Sequence, residues 1–288
     1  MNDIVLLNLR ISMWGVSRVL PDHEYEVDAA KAMVRATKKI LECPEYEFLL
    51  QLKRSIHRRL KTLALPGEIL RAGVYPVSVP MVEEVEKELE AFSVRWGVGV
   101  LGLEQVWDLR VREVEDRLRA LYDEEDYPSW ERVNGCFAVR WNYFSMSTPQ
   151  VLQAISGKLF VREQAKATVQ WNEMLEEIRD GLRLTFKELV DALVDRLSPR
   201  PDGTRKKLVG VDRLLEFLDT FSKKDVADDE QLRVLVEEVR GLLSGQDVSR
   251  LRNDQGLREL VQERMQSVKV VLDTLVEDAP VRQIVLRE

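Results

Sequence analysis

Cysteine and histidine are nearly absent from this 288-residue sequence, which has two of each. Cys43 and Cys136 cannot make a disulfide scaffold. Together with His23 and His57 they offer no two soft ligands at zinc-site spacing, so no metal is expected from them. Serine and cysteine nucleophiles have no recognisable elbow and almost no histidine to serve them, so no catalytic residue is assigned. No apolar run approaches the ~20 residues of a membrane span. The N-terminus shows no basic segment followed by a signal-type apolar stretch, so the chain reads as cytoplasmic, with no membrane partner. Fixed-period repeats and low-complexity linkers are lacking too. What is present is ordinary globular material. Hydrophobic residues make up 45% of the chain and charged residues 32%, enough for one large domain or two ordinary ones.

Acids outnumber bases by 50 to 43. Arginine occurs 29 times against 14 lysines, which fits ion-pair networks or phosphate contact, and fits a biased genome equally well. The charge is unevenly placed. Residues 1–63 carry 11 bases and 8 acids, while residues 81–131 carry 6 bases and 15 acids. A basic block beside an acidic one suggests internal pairing, or head-to-tail association of protomers.

Periodicity predicts an α+β fold, mainly α. Ile4–Ile11 is rich in apolar and β-branched residues and reads as a buried strand. A helix is predicted over 27–41, ended by Cys43-Pro44. A second runs over 45–63, with Leu49, Leu52, Ile56, Leu60 and Leu63 forming one apolar stripe. Val74–Val79 alternates, and Pro76 makes it an edge strand or extended arm. Helices over 81–92 and 103–122 follow, separated by a glycine-rich stretch. Phe137, Val139, Trp141 and Tyr143 alternate as a second strand. From 161 to 197 the chain has no proline, and its apolar residues recur every three or four positions. That helix would be roughly 55 Å long. A turn at 199–203, helices near 208–222, 228–244 and 255–277, and an extended 283–286 complete the reading. The division expected is an α+β head, 1–150, and an α-helical, coiled-coil-like part, 151–288, forming a helical hairpin or stalk.

Four features bear on chemistry. Gly97-Val98-Gly99-Val100-Leu101-Gly102 matches G-x-G-x-x-G, yet the strands that a dinucleotide site needs on either side are missing. A glycine loop joining two helices is the better reading, and no cofactor is expected. The face Lys53, Arg54, Arg58, Arg59 and Lys61 could track phosphates or an acidic partner. With Arg140, Trp141 and Tyr143 of the aromatic strand, it makes a candidate nucleic-acid surface; solvated charge and a sheet core are the plain alternatives. Trp171, Leu175, Ile178, Leu182, Leu189 and Leu193 form a seam that wants a partner along its length, from this chain or a second protomer. Acidic runs at 83–90 and 123–126 read as solvated helix faces and ends; carboxylates dispersed along the chain leave a metal-dependent hydrolase as a third choice.

Asn8-Leu9-Arg10-Ile11-x-x-Trp14, Leu52-Lys53-Arg54 with Arg58, and Gly73-Val74-Tyr75-Pro76-Val77 before an acidic helix resemble an uncharacterised family of phages and integrative elements (domain of unknown function 3150). The likeness covers residues 4–150 in motif and the rest in character. It departs at Arg71-Ala72-Gly73, where the family pattern is richer in glycine. The resemblance implies no catalytic residues. Its genes often lie near MoxR-like AAA ATPases, which implies such a system as partner by association only. The expectation is therefore a non-enzymatic mobile-element protein acting through self-association or protein–protein contact. The alternative is a single-stranded nucleic-acid binder using residues 53–61 and 137–143.

Overall fold

Nine residues, Ile4–Ser12, form the strand (β1) around which the fold is arranged. The computed structural model describes residues 3–21, 25–26, 33–67, 72–198, 210–244 and 254–277. β1 lies between β4 (Val74–Ser78) and β5 (Ala138–Phe144), antiparallel to both. Leu7 sits opposite Tyr75 on one side and Tyr143 on the other. Around the first half of β1 the sheet is covered on both faces, while Arg10, Arg140 and Asn142 leave the far end of one face open. Ile4 and Leu6 join a core built from the later helices, whereas Leu7 and Leu9 join a core with the first two long helices. Burial on both faces is why this strand reads as a nearly continuous apolar run. β4 is at the sheet edge, where a proline costs no interior ladder bond.

The second helix expected is α1, Pro44–Leu63. Pro44 opens it, since the first turn has no hydrogen bond for proline to lose. Its predicted stripe is buried throughout. The helix expected over 27–41 needs correction. Thr37–Lys39 is a strand (β3), antiparallel to Ser17–Val19 (β2). Leu20 N donates to Ala36 O and Ile40 N to Val16 O, which extends the ladder at both ends. Backbone pairing with a distant segment overrides the local pattern here; residues 27–32 lie outside the described residues.

The glycine loop is a second correction. One helix, α2, runs unbroken from Val82 to Leu118, for 37 residues. Each interior glycine costs roughly 1 kcal/mol of helix propensity, but none blocks the helix as proline would. Gly99 has a packing reason. A Cβ there would lie 2.7 Å from Leu49 Cδ2 and 3.1 Å from Phe48 Cε1, so its lack of a side chain lets α1 come close.

Short α3 (Trp130–Asn134) precedes β5, and α4 (Val151–Ile155) follows it. Then comes α5, Gly157–Leu197, starting four residues before its predicted beginning because Ser156 caps it, its side chain accepting from Leu159 N. Three more helices complete the described chain: α6 (Val211–Lys224), α7 (Glu230–Leu243) and α8 (Gln255–Glu277). α8 runs antiparallel to α5: Arg258 Nε donates to Leu197 O at 3.0 Å, and Arg183 Nη1 to Leu275 O at 3.4 Å. The turn predicted at 199–203 and the extended segment at 283–286 lie outside the described residues.

Candidate interaction surfaces

The basic and acidic blocks meet inside the molecule. Arg18 and Lys38 both reach Asp126, at 3.2 and 2.9 Å. Arg59 reaches Glu88 at 2.9 Å and Glu84 at 3.8 Å. Two further pairs run with the signs exchanged, Glu45 to Arg110 at 2.8 Å and Glu42 to Arg117 at 2.7 Å. Lys39 and Arg117 together hold the Glu42 carboxyl down to about 2. Of the two outcomes the charge pattern allowed, internal pairing is the one this structure contains.

This pairing divides the basic face of α1. Arg59 also bonds Glu216 on α6, so it is a tie between the two cores. Arg54 pairs with Glu47 at 3.2 Å, with both side chains largely in water, and such a pair contributes little. Lys53, Arg58 and Lys61 have no acidic partner among the described residues. Between them His57 Nδ1 lies 2.5 Å from the Tyr75 hydroxyl. Burial, with Lys53 and Lys61 one turn to either side, holds its imidazole below the ordinary value.

The aromatic strand turns inward. Trp141 and Tyr143 pack against the α1–α2 core, half-buried. A residue that the sequence reading passed over fixes them: Glu86 of α2 accepts from Trp141 Nε1 at 3.1 Å and from the Tyr143 hydroxyl at 2.8 Å. Burial and the Glu86 carboxylate both raise the Tyr143 phenol. Arg140 alternates to the opposite face, exposed and opposite Arg10 in the ladder. The structure thus does not bring Arg140 to the same surface as the two rings.

The seam is filled from within the chain. Trp171, Ile178, Leu182 and Leu193 are buried, and Leu175 and Leu189 partly so, in one core with α6, α7 and α8. Across it Arg183 holds the buried Asp229 at 2.6 Å, and Lys269 pairs with Asp191 at 2.7 Å. Midway along it Gly181 meets Pro66, whose Cβ would lie 2.6 Å from any added Cβ.

Among the described residues no group of three or more His, Cys, Asp or Glu is placed to hold a metal ion, and no helix is long and apolar enough to cross a membrane. Cys43 is buried and Cys136 half-buried, both free thiols. Among the described residues apolar side chains are exposed on several helices, Leu260, Val270 and Val271 of α8 included, and two surfaces carry the most of them. One is the arm formed by residues 151–170, where Val151, Ile155, Val161 and Val169 are exposed. The other is the outer side of α2. The sequence reading missed it because it took 97–102 as a loop, although Val94, Val98 and Leu101 are spaced as one helix face. No protein-family model, curated protein or solved structure matches the chain.

Proposed function

We propose that this chain works by association, with itself or with other proteins, rather than by catalysis. The observation that carries the reading is the arm 151–170. From Trp171 onward one stripe of α5 is buried in a core, but no residue of 151–170 belongs to either core, and four of its branched apolar side chains face water. Exposed apolar surface of this kind marks contact sites. The family resemblance adds a partner class, a protein of a phage or mobile-element system built around an AAA ATPase.

The second reading, a single-stranded nucleic-acid binder, keeps one observation in its favour: Lys53, Arg58 and Lys61 are left unpaired among the described residues. Against it stand the engagement of Arg54 and Arg59 and the inward turn of Trp141 and Tyr143.

Sedimentation of the full chain over a concentration series, with and without a single-stranded oligonucleotide, tests the choice. Association with itself predicts a mass that rises above 33.4 kDa with concentration and is indifferent to the oligonucleotide. A monomer that takes up the oligonucleotide would replace the first reading with the second.

A further inference from the structure

We propose that the outer side of α2 is a dimer surface, packing antiparallel on α2 of a second copy of this chain. The proposal rests on the self-association reading above and assigns it a surface and a register. Val85, Leu89, Phe92, Trp96, Gly99, Leu103 and Trp107 give α2 its buried side. On the opposite side Val94, Val98 and Leu101 are 69%, 63% and 57% exposed. They step by four and three, so they form one stripe. Between Ala91 and Leu103 the helix carries a single charge, Arg95. A Cβ at Gly97 or Gly102 would meet nothing within 4 Å, so another backbone can approach there.

Charge selects the occupant. Take two copies of α2 antiparallel, centred on the Gly97–Val98 peptide. Val94 then faces Leu101 of the second copy, and Val98 faces its Gly97. Further out, Lys87 faces Asp108 and Glu83 faces Arg112, each pair occurring twice because a two-fold contact is self-complementary. All four side chains are exposed. None has an ion-pair partner within its own chain among the described residues; Arg112 bonds only the Asp108 carbonyl. Their neighbours on the inward flanks are taken: Glu84 and Glu88 by Arg59, Glu86 by Trp141, and Arg110 by Glu45 and Glu113. A register one turn further along sets Lys87 against Arg112 and Glu83 against Asp116, like against like. Parallel helices set each charge against itself. The contact spans roughly 44 Å from Glu83 to Arg112 at helical rise, which helices crossing at about 20° can sustain with long side chains at the ends.

The test uses the full chain in analytical ultracentrifugation. The native protein is expected to sediment as a dimer. Val98→Arg, at a site that is mostly in water, should give a monomer with unchanged circular dichroism and melting temperature. Lys87→Glu should weaken the dimer about tenfold, and adding Asp108→Lys should restore it, because the exchanged pair is again opposite in sign. A native chain that stays monomeric overturns this proposal and self-association together. An oligomer that survives Val98→Arg overturns the α2 surface and leaves association through another face. A Lys87→Glu/Asp108→Lys chain that stays as weak as Lys87→Glu overturns the register.

Discussion

The ammonium group of Lys224, the last residue of α6, donates a hydrogen bond to the carbonyl oxygen of Thr62 in the final turn of α1. A helix C-terminus has carbonyls without helical partners, and a cation is favoured there. Lys224 is nonetheless buried, and Arg59, Glu216 and Glu84 surround it.

Burial brings the Lys224 pKa from 10.5 down to about 8 against the pull of Glu216 and Glu84. The folded state therefore holds the charged amine less readily than the unfolded chain does, and the cost of keeping it charged is present below about pH 8. That cost is relieved as pH rises from 8 toward 10.5, because the unfolded chain then holds more protons than the folded one. Its full size is on the order of 3 kcal/mol. Measured by urea unfolding, the native chain should gain stability over this window relative to Lys224→Met. Parallel pH profiles would show that the amine is not desolvated.

Glu86 satisfies two partly buried donors at once. Glu86→Ala should destabilise the fold by about 1–3 kcal/mol, since the Trp141 indole and the Tyr143 hydroxyl both lose their acceptor. In a Tyr143→Phe background the same change should cost less, and a double-mutant cycle reads the difference.

Glycine-to-alanine changes should have opposite signs in two helices. In α7, Gly241 has open space around it, and Gly241→Ala should stabilise by about 0.5 kcal/mol. In α5, Gly181→Ala would drive a methyl group into the Pro66 ring and should lower the melting temperature. Equal shifts would mean that α5 and Pro66 are not in contact.

The α5 seam is intramolecular, and this fixes how a seam variant fails. Leu182→Asp/Leu189→Asp should lower stability by several kcal/mol through buried carboxylates. The loss in melting temperature should be the same at low and high protein concentration. A concentration-dependent loss would place the seam between chains.

For the basic face of α1, filter binding at low salt should show no retention of single-stranded DNA by the native chain, and Arg54→Glu/Arg58→Glu should change neither binding nor circular dichroism. Retention that falls with salt at a log–log slope near -0.7 per phosphate would instead establish a nucleic-acid surface.

Periodic elements are legible in the sequence alone. β1, α1 and α5 announce themselves because one buried face or stripe repeats along each, and Pro76 places its strand at an edge. The failures have a common origin in contacts made far along the chain. Thr37–Lys39 is extended because of Ser17–Val19, and nothing local to 27–41 says so. Gly97, Gly99 and Gly102 look like punctuation until Leu49 and Phe48 arrive beside Gly99. Reading a loop there also hides the stripe of Val94, Val98 and Leu101. Glu86 looks like one more solvated acid in a run, since its two donors lie 55 and 57 residues away.

The position of β1 in the chain has a consequence for synthesis. The strand is made before everything that covers it: Asn8 waits 134 residues for Asn142, and Ile4 and Leu6 wait for helices beyond residue 171. Pairings of such long separation close late and slow folding, and a chain still growing leaves an apolar strand with two open edges, which is a hazard for aggregation. A nascent chain halted after β5 would have a completed three-stranded ladder whose second face, at Ile4 and Leu6, is still wet. A strand made before its covers is thus among the last segments to be sealed.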